Sequence, residues 1–163
     1  MRIYPMFTKT KIASALLAAG LFFGVTNLSF AADHHSHGEQ TMVEAKLNAG
    51  QKWKGDKHLR KSMGAIRTSI NTRLGEIHEN RLPSDEYKKL ANEIQTQIDY
   101  MVENCNLPEA EDEQLHIILN PIFEGVSEME TGKNERAGAV KVVKVYNAYG
   151  KYFEDSNWAP LGK

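Results

Sequence analysis

Four successive segments of the chain place an apolar side chain at every third or fourth position. This spacing is typical of the buried stripe of an amphipathic α-helix. No segment shows the strict alternation of a β-strand, and the breaks between the four segments are short, so neighbouring helices are expected to be antiparallel. We therefore predict an all-α fold, an antiparallel up-down-up-down four-helix bundle. The stripes are Leu59, Met63, Ile66, Ile70, Leu74 and Ile77; Tyr87, Leu90, Ile94, Ile98, Met101 and Cys105; Leu115, Ile118, Leu119, Ile122, Val126 and Met129; and Val142, Val145, Tyr146, Tyr149 and Phe153.

The residues around the breaks predict where the helices begin and end. Asp56, Ser84 and Asn134 have short polar side chains that can cap a helix N-terminus. Gly132 is a typical C-terminal stop, because glycine adopts the left-handed conformation that often ends a helix. After the fourth stripe the chain becomes irregular, and Trp158 is expected to fold back onto the bundle.

The N-terminus has the three features of a secretory signal peptide. Arg2, Lys9 and Lys11 give a basic start, an uncharged apolar run covers residues 12–25, and small residues precede a cleavage point after Ala31. The apolar run is shorter than the roughly 20 residues that span a bilayer, and no second run follows. We predict a signal peptide over residues 1–31 and a soluble periplasmic protein that has no membrane attachment after cleavage.

Composition limits the partners of the mature chain. Three of the 20 Lys and Arg residues lie in the predicted signal peptide, so 17 face 21 Asp and Glu and the formal charge is −4. This balance gives no reason to bind nucleic acid or anionic lipid. Residues 32–52 are predicted to form a flexible His-rich arm, with one helical turn around Met42 to Leu47, and residues 53–163 the bundle domain. The oligomeric state is left open.

The predicted arm would become a metal site once the signal peptide is removed. Cleavage after Ala31 or after Ala32 leaves a histidine at the third position, either His34 or His35. A free terminal amine, two backbone amides and this imidazole form the square-planar nitrogen set that Cu(II) and Ni(II) prefer. The candidate residues are Ala32, Asp33, His34, His35 and His37. The alternative is that a polar start merely keeps the processing site exposed.

A second candidate metal site comes from the predicted bundle. In an antiparallel arrangement one end of the bundle collects thiol, thioether and imidazole side chains, which together suit a soft ion such as Cu(I), while Cys and His could also hold zinc. Cys105 is the only cysteine, so it is a buried free thiol, a metal ligand or an intermolecular link. Core packing is the alternative for the sulfur residues, and His116 is expected to be at least partly buried. The residues at this end are His58, Met63, Met101, Cys105, His116 and Tyr149.

The ending Asn147-Ala148-Tyr149-Gly150, together with Met63 early in the first helix, resembles the cytochrome b562 family of periplasmic four-helix bundles. That resemblance implies a b-type haem for electron transfer, with Met63 as one iron ligand. The family has a histidine where this chain has Gly150, so haem would be five-coordinate here or would use His58 or His116. The chain is also similar to uncharacterised proteobacterial periplasmic bundle proteins that share the Tyr-Gly-x-Tyr-Phe and Trp ending.

No motif for nucleophilic catalysis, phosphate binding or a zinc protease occurs, so we do not expect an enzyme. The predicted function is a periplasmic metal-binding protein, for copper above all, that buffers or passes the ion without catalysis. Two alternatives stay open. One is a haem electron carrier, and the other is a metal-free helical module that binds a protein partner in envelope stress or assembly.

Overall fold

The computed structural model describes residues 43–162, and helices dominate this range. The helices are α1 Lys57–Asn71, α2 Leu74–His78, α3 Ser84–Asn104, α4 Glu109–Thr131 and α5 Glu135–Tyr152. Within the described range β-structure is limited to two isolated bridges, Asn48 with Gln51 and Trp53 with Phe153. The all-α prediction is therefore confirmed. None of the helices in residues 43–162 combines the length and the apolar character needed to cross a membrane.

The predicted stripes form the hydrophobic core. Every stripe residue is buried except Leu74 and Cys105, which are partly buried. The sequence pattern works because side chains three and four residues apart lie on one face of a helix, where they can be removed from water together.

The first stripe belongs to two helices instead of the single helix predicted. α1 ends at Asn71 and the short α2 begins at Leu74. Arg73 occupies the break, where its guanidinium donates to the carbonyl of Ser69 and pairs with Glu86 and Glu93 of α3. These contacts hold the turn against α3, and they join residues far apart in sequence, which a helical pattern does not reveal.

The predicted helix ends have mixed outcomes. Asp56 caps α1 as predicted, since its carboxylate accepts from the backbone N–H groups of His58 and Leu59. Gly132 ends α4 with φ of 71°, in the left-handed region, also as predicted. The prediction for Ser84 is wrong, because Ser84 is the first helical residue of α3 and Pro83 holds the cap position. Asn134 holds the cap position of α5, but its side chain makes no capping hydrogen bond.

The described part of the predicted arm, residues 43–52, is packed against the helices. Val43 and Ala45 are buried, and the Lys46 N–H donates to the side-chain oxygen of Gln114 on α4 at 2.7 Å. The Trp53 backbone exchanges hydrogen bonds with the end of α5. This part is therefore not a free arm, and the helical turn expected near Met42 is absent from residues 43–47. We call residues 43–55 the N-terminal strap.

Two glycines bring α4 and α5 into backbone contact. A Cβ built on Gly125 would lie 2.7 Å from the carbonyl oxygen of Gly138, and one built on Gly138 would lie 2.5 Å from that of Gly125. Real Cβ atoms do not come this close to backbone, so the two helices pack at this distance only because neither position has a side chain.

The C-terminal segment folds back onto the helices, as predicted for Trp158. The Trp158 indole lies against Gly150 of α5, and its N–H donates to the carbonyl of Tyr146 at 3.3 Å. The Asn147 side chain then holds the backbone of Leu161 through its amide and its oxygen. The ending of the chain is thus part of the core packing.

Candidate metal centre

A cavity of about 280 Å³ lies between the end of α3, the α3–α4 connection and the first half of α4. Three of the predicted metal ligands line it, namely Met101, Cys105 and His116, together with Asp112. Met101 and Cys105 are four residues apart, so they share one face at the end of α3, and His116 faces the same space from α4. The cavity therefore combines a thioether, a thiol and an imidazole.

Cys105 is the C-cap of α3 and its side chain is only partly exposed. Burial raises the pKa of this thiol to about 12, and the neighbouring carboxylates of Asp56 and Asp112 add to the rise. The group is therefore a neutral thiol at neutral pH. Since the thiolate is the form that binds metals, an ion bound at Cys105 has to displace the thiol proton.

Asp56 links the start of α1 to the α3–α4 connection beside the cavity. One carboxylate oxygen accepts from the N–H groups of His58 and Leu59, and the other accepts from the Asn106 N–H at 3.0 Å. Burial alone would raise the pKa of Asp56, but these backbone donors outweigh it and the pKa is lowered. Sequence reasoning found the cap but missed the link to Asn106, because no pattern connects residues 50 positions apart.

His116 is more exposed than predicted. Its side chain is 62% exposed, so the expectation of partial burial is wrong. The ring Nδ1 lies 2.9 Å from the carbonyl oxygen of Asp112, one turn earlier in α4, and a carbonyl can only accept. Nδ1–H is therefore the donor, and the lone pair of Nε2 is left available to an ion.

α4 begins at Glu109, directly after the cap residue Pro108. With this start, His116 lies about two turns into α4, yet it still lines the same cavity as Cys105. Other residues predicted at this end have separate environments. Met63 is fully buried in the core, His58 has its Nδ1 2.8 Å from the Tyr100 hydroxyl, and the Tyr149 hydroxyl faces Asp155.

Within residues 43–162 no three His, Cys, Asp or Glu side chains are grouped closely enough to hold a metal ion. A site in the cavity therefore has to use the Met101 sulfur and requires His116 to turn away from Asp112. Because the imidazole is mostly exposed, such a rotation meets little steric resistance. The arm candidates Ala32, Asp33, His34, His35 and His37 lie outside the described residues.

The two positions that correspond to the haem ligands of the cytochrome b562 family, Met63 and Gly150, are both buried. Met63 is fully buried, and Gly150 is covered by the Trp158 indole, which occupies the space that a Cβ at this position would need. A histidine at position 150 would therefore have to displace Trp158. The glycine that departs from the family's pattern is needed here for packing the C-terminal segment.

Comparison with protein-family models, with curated proteins and with solved structures found no match to this chain.

Proposed function

We propose that this protein is exported to the periplasm and binds Cu(I) in the cavity, buffering the ion or passing it on without catalysing a reaction. The observation that carries the proposal is the shared cavity of Met101, Cys105 and His116. Thiolate and thioether are the protein ligands that favour Cu(I) over harder ions, and an imidazole completes a three-coordinate set.

The chemistry of binding follows from the surroundings of each ligand. The ion displaces the proton of Cys105, while the thioether of Met101, four residues earlier, supplies the second sulfur. His116 completes the set by turning its free Nε2 inward. Asp56 has a positioning role, because it fixes the backbone of Asn106 next to Cys105 and ties both to the start of α1.

The proposed framework for this site is an antiparallel up-down-up-down four-helix bundle, in which α1 and α2 together count as the first member. It is supported by the short connections, since only residues 105–108 separate α3 from α4 and residues 132–134 separate α4 from α5. Helices joined by such short links pack as antiparallel neighbours.

The proposal also includes a Cu(II) site in the exported chain. Cleavage after Ala31 or Ala32 would place a histidine third, next to the free amine. This set prefers Cu(II), whereas the cavity prefers Cu(I), so the oxidation state used in a titration separates the two sites. N-terminal sequencing of the exported protein tests the cleavage, and any other starting residue removes the arm site.

The cavity site is tested by anaerobic titration of Cu(I) against a competing chelator, in a background with His34, His35 and His37 replaced by Gln. We expect Cys105→Ser and Met101→Leu each to weaken Cu(I) binding by at least tenfold, and His116→Gln to weaken it less. Met129→Leu and His78→Gln are matched controls, because Met129 is a fully buried methionine of the core and His78 an exposed histidine, and neither lines the cavity. The proposal fails if Cys105→Ser and Met101→Leu bind as the wild type does, or if the wild type binds no better than an unfolded peptide containing Met, Cys and His.

A further inference from the structure

Two large apolar side chains are exposed around the mouth of the cavity. Val102, which lines the cavity, is 69% exposed, and Phe123 is 40% exposed. Phe123 lies one turn after the cavity residue Leu119 and two turns after His116, on the same face of α4. Single exposed apolar residues are ordinary, but here they extend an apolar depression that already contains Leu107, Leu115 and Leu119.

The stretch of chain that forms this depression, the second half of α3 and most of α4, carries Asp and Glu but no Lys or Arg. Between Lys89 and Lys133 the chain contains ten Asp and Glu residues and no Lys or Arg. Asp99 lies one turn before Val102 on α3, Glu103 follows Val102, and Glu113 lies between the cavity residues Asp112 and Leu115 on α4. All three are exposed, and within residues 43–162 none of them takes part in an ion pair.

Other carboxylates of the same stretch are engaged within the fold. Glu93 pairs with Arg73, Glu124 and Glu128 pair with Lys141, and Glu111 accepts from the Gly55 N–H. Asp99, Glu103 and Glu113 differ from them in forming no ion pair within the described residues. We call the exposed set, Asp99, Val102, Glu103, Glu113 and Phe123, the α3–α4 surface.

We propose that the α3–α4 surface docks a segment of a partner protein that carries Lys or Arg side chains together with apolar ones. The apolar depression would take the apolar side chains, and the exposed carboxylates would meet the cations at the rim. An acidic or purely polar segment does not fit, because it would meet like charge and leave Val102 and Phe123 in water. A docked segment would cover the cavity mouth and could receive the ion. That role of the partner rests on the function proposed above, whereas the docking itself does not require a bound ion.

The test uses the full-length exported protein without metal and a synthetic amphipathic helix with leucine on one face and lysine on the other. The matched probe has glutamate in place of lysine. We expect the lysine peptide to bind, with an affinity that falls several-fold when the salt concentration rises, and the glutamate peptide not to bind. Amide chemical shifts should change mainly around Val102 and Phe123.

Surface variants separate the apolar contribution from the charge. Val102→Ser with Phe123→Ser should weaken binding of the lysine peptide about tenfold, whereas Leu47→Ser, at another exposed apolar residue, should leave it unchanged. Asp99→Asn with Glu103→Gln and Glu113→Gln should also weaken it about tenfold. The matched control replaces three exposed carboxylates elsewhere, Glu44, Glu76 and Glu154, by Gln and should change binding less than twofold.

Several results would overturn the docking proposal. Equal binding of both peptides, an equal effect of the two triple variants, or shift changes away from the α3–α4 surface would each contradict it. Self-association in sedimentation equilibrium that Val102→Ser abolishes would assign the surface to a second copy of this chain instead. If the docking proposal is correct, Cys105→Ser binds the lysine peptide as the wild type does, even though its affinity for Cu(I) is lower. The docking proposal and the metal proposal can therefore fail separately.

Discussion

Gly150 and Trp158 offer a sharp test of the packing at the end of α5. The indole of Trp158 occupies the space that a Cβ at position 150 would need, so Gly150→Ala must push the ring away. The ring has little freedom to move, since it donates to the Tyr146 carbonyl and stacks on the Tyr146 ring with centroids 6.5 Å apart. Overpacking of this kind destabilises by about 1–3 kcal/mol.

The same substitution should have the opposite effect when the ring is absent. Gly150 lies inside α5, where alanine is a better helix former than glycine by about 0.5–1 kcal/mol. In a Trp158→Ala background, Gly150→Ala should therefore stabilise the fold. The sign of the effect changes between the two backgrounds, and the coupling free energy between the two positions should be about 2 kcal/mol.

Urea unfolding gives the free energies of unfolding of the wild type, the two single variants and the double variant. The signal is far-UV circular dichroism, because Trp158→Ala would itself change the tryptophan fluorescence. A Gly150→Ala effect of the same sign and size in both backgrounds would refute the reasoning. It would mean that the ring does not press on position 150 in solution.

Three further predictions follow from the described geometry. Asp56→Ala should lower the free energy of unfolding by about 2 kcal/mol, because it removes the helix cap and the hydrogen bond to Asn106. The pKa of Asp56 is lowered in the fold, so the wild type should be more stable than Asp56→Asn at pH 6, and this difference should disappear as the pH falls below about 4. Urea unfolding at a series of pH values measures both effects. Gly138→Ala should destabilise the fold by about 1–3 kcal/mol through overpacking, whereas Gly64→Ala should stabilise it slightly, because a Cβ at Gly64 meets open space. Thermal melts of the two variants make the comparison. Burial raises the pKa of the Cys105 thiol to about 12, so Cu(I) has to displace a proton there and its dissociation constant should fall by about tenfold per pH unit between pH 6 and 8. A titration showing no pH dependence would contradict thiolate ligation.

The haem alternative has a direct measurement. Protein purified from haem-replete cells would show a Soret band if the cytochrome b562 resemblance extended to cofactor binding. With Gly150 covered by Trp158, we expect no such band. Adding haem to Trp158→Ala alongside the wild type would show whether the indole is what closes this position.

The helical core could be predicted from the sequence because it depends on local spacing. Ile66, Ile94 and Val145 are buried as a periodicity of 3.6 residues requires, whatever the neighbouring helices are. The break before α2 could not be predicted in this way, since it depends on Arg73 meeting carboxylates of α3. The packing of the N-terminal strap could not be predicted from the sequence either. Its residues are mostly polar, and it is held against the helices by single contacts such as the hydrogen bond from Lys46 to Gln114.

The candidate site could be predicted in its chemistry but not in its geometry. The types of residue at Met101, Cys105 and His116 suggested a soft ion, and the structure places all three on one cavity. The exposure of His116 was missed because a position at the edge of a stripe can turn either toward the core or toward water. Met63 is as buried as Met101, but it does not line the cavity.

The contact between Gly125 and Gly138 helps to set the position of the whole of α4, including the half that lines the cavity. α4 is a single helix of 23 residues, and it is held to α5 at backbone distance near its second half, while its first half forms one wall of the cavity. Gly125 and His116 are separated by about 13 Å along the helix axis. Any side chain at the glycine contact would push α4 outward there and tilt its other half relative to α3. The width of the cavity can therefore be altered by a substitution that touches none of the residues lining it.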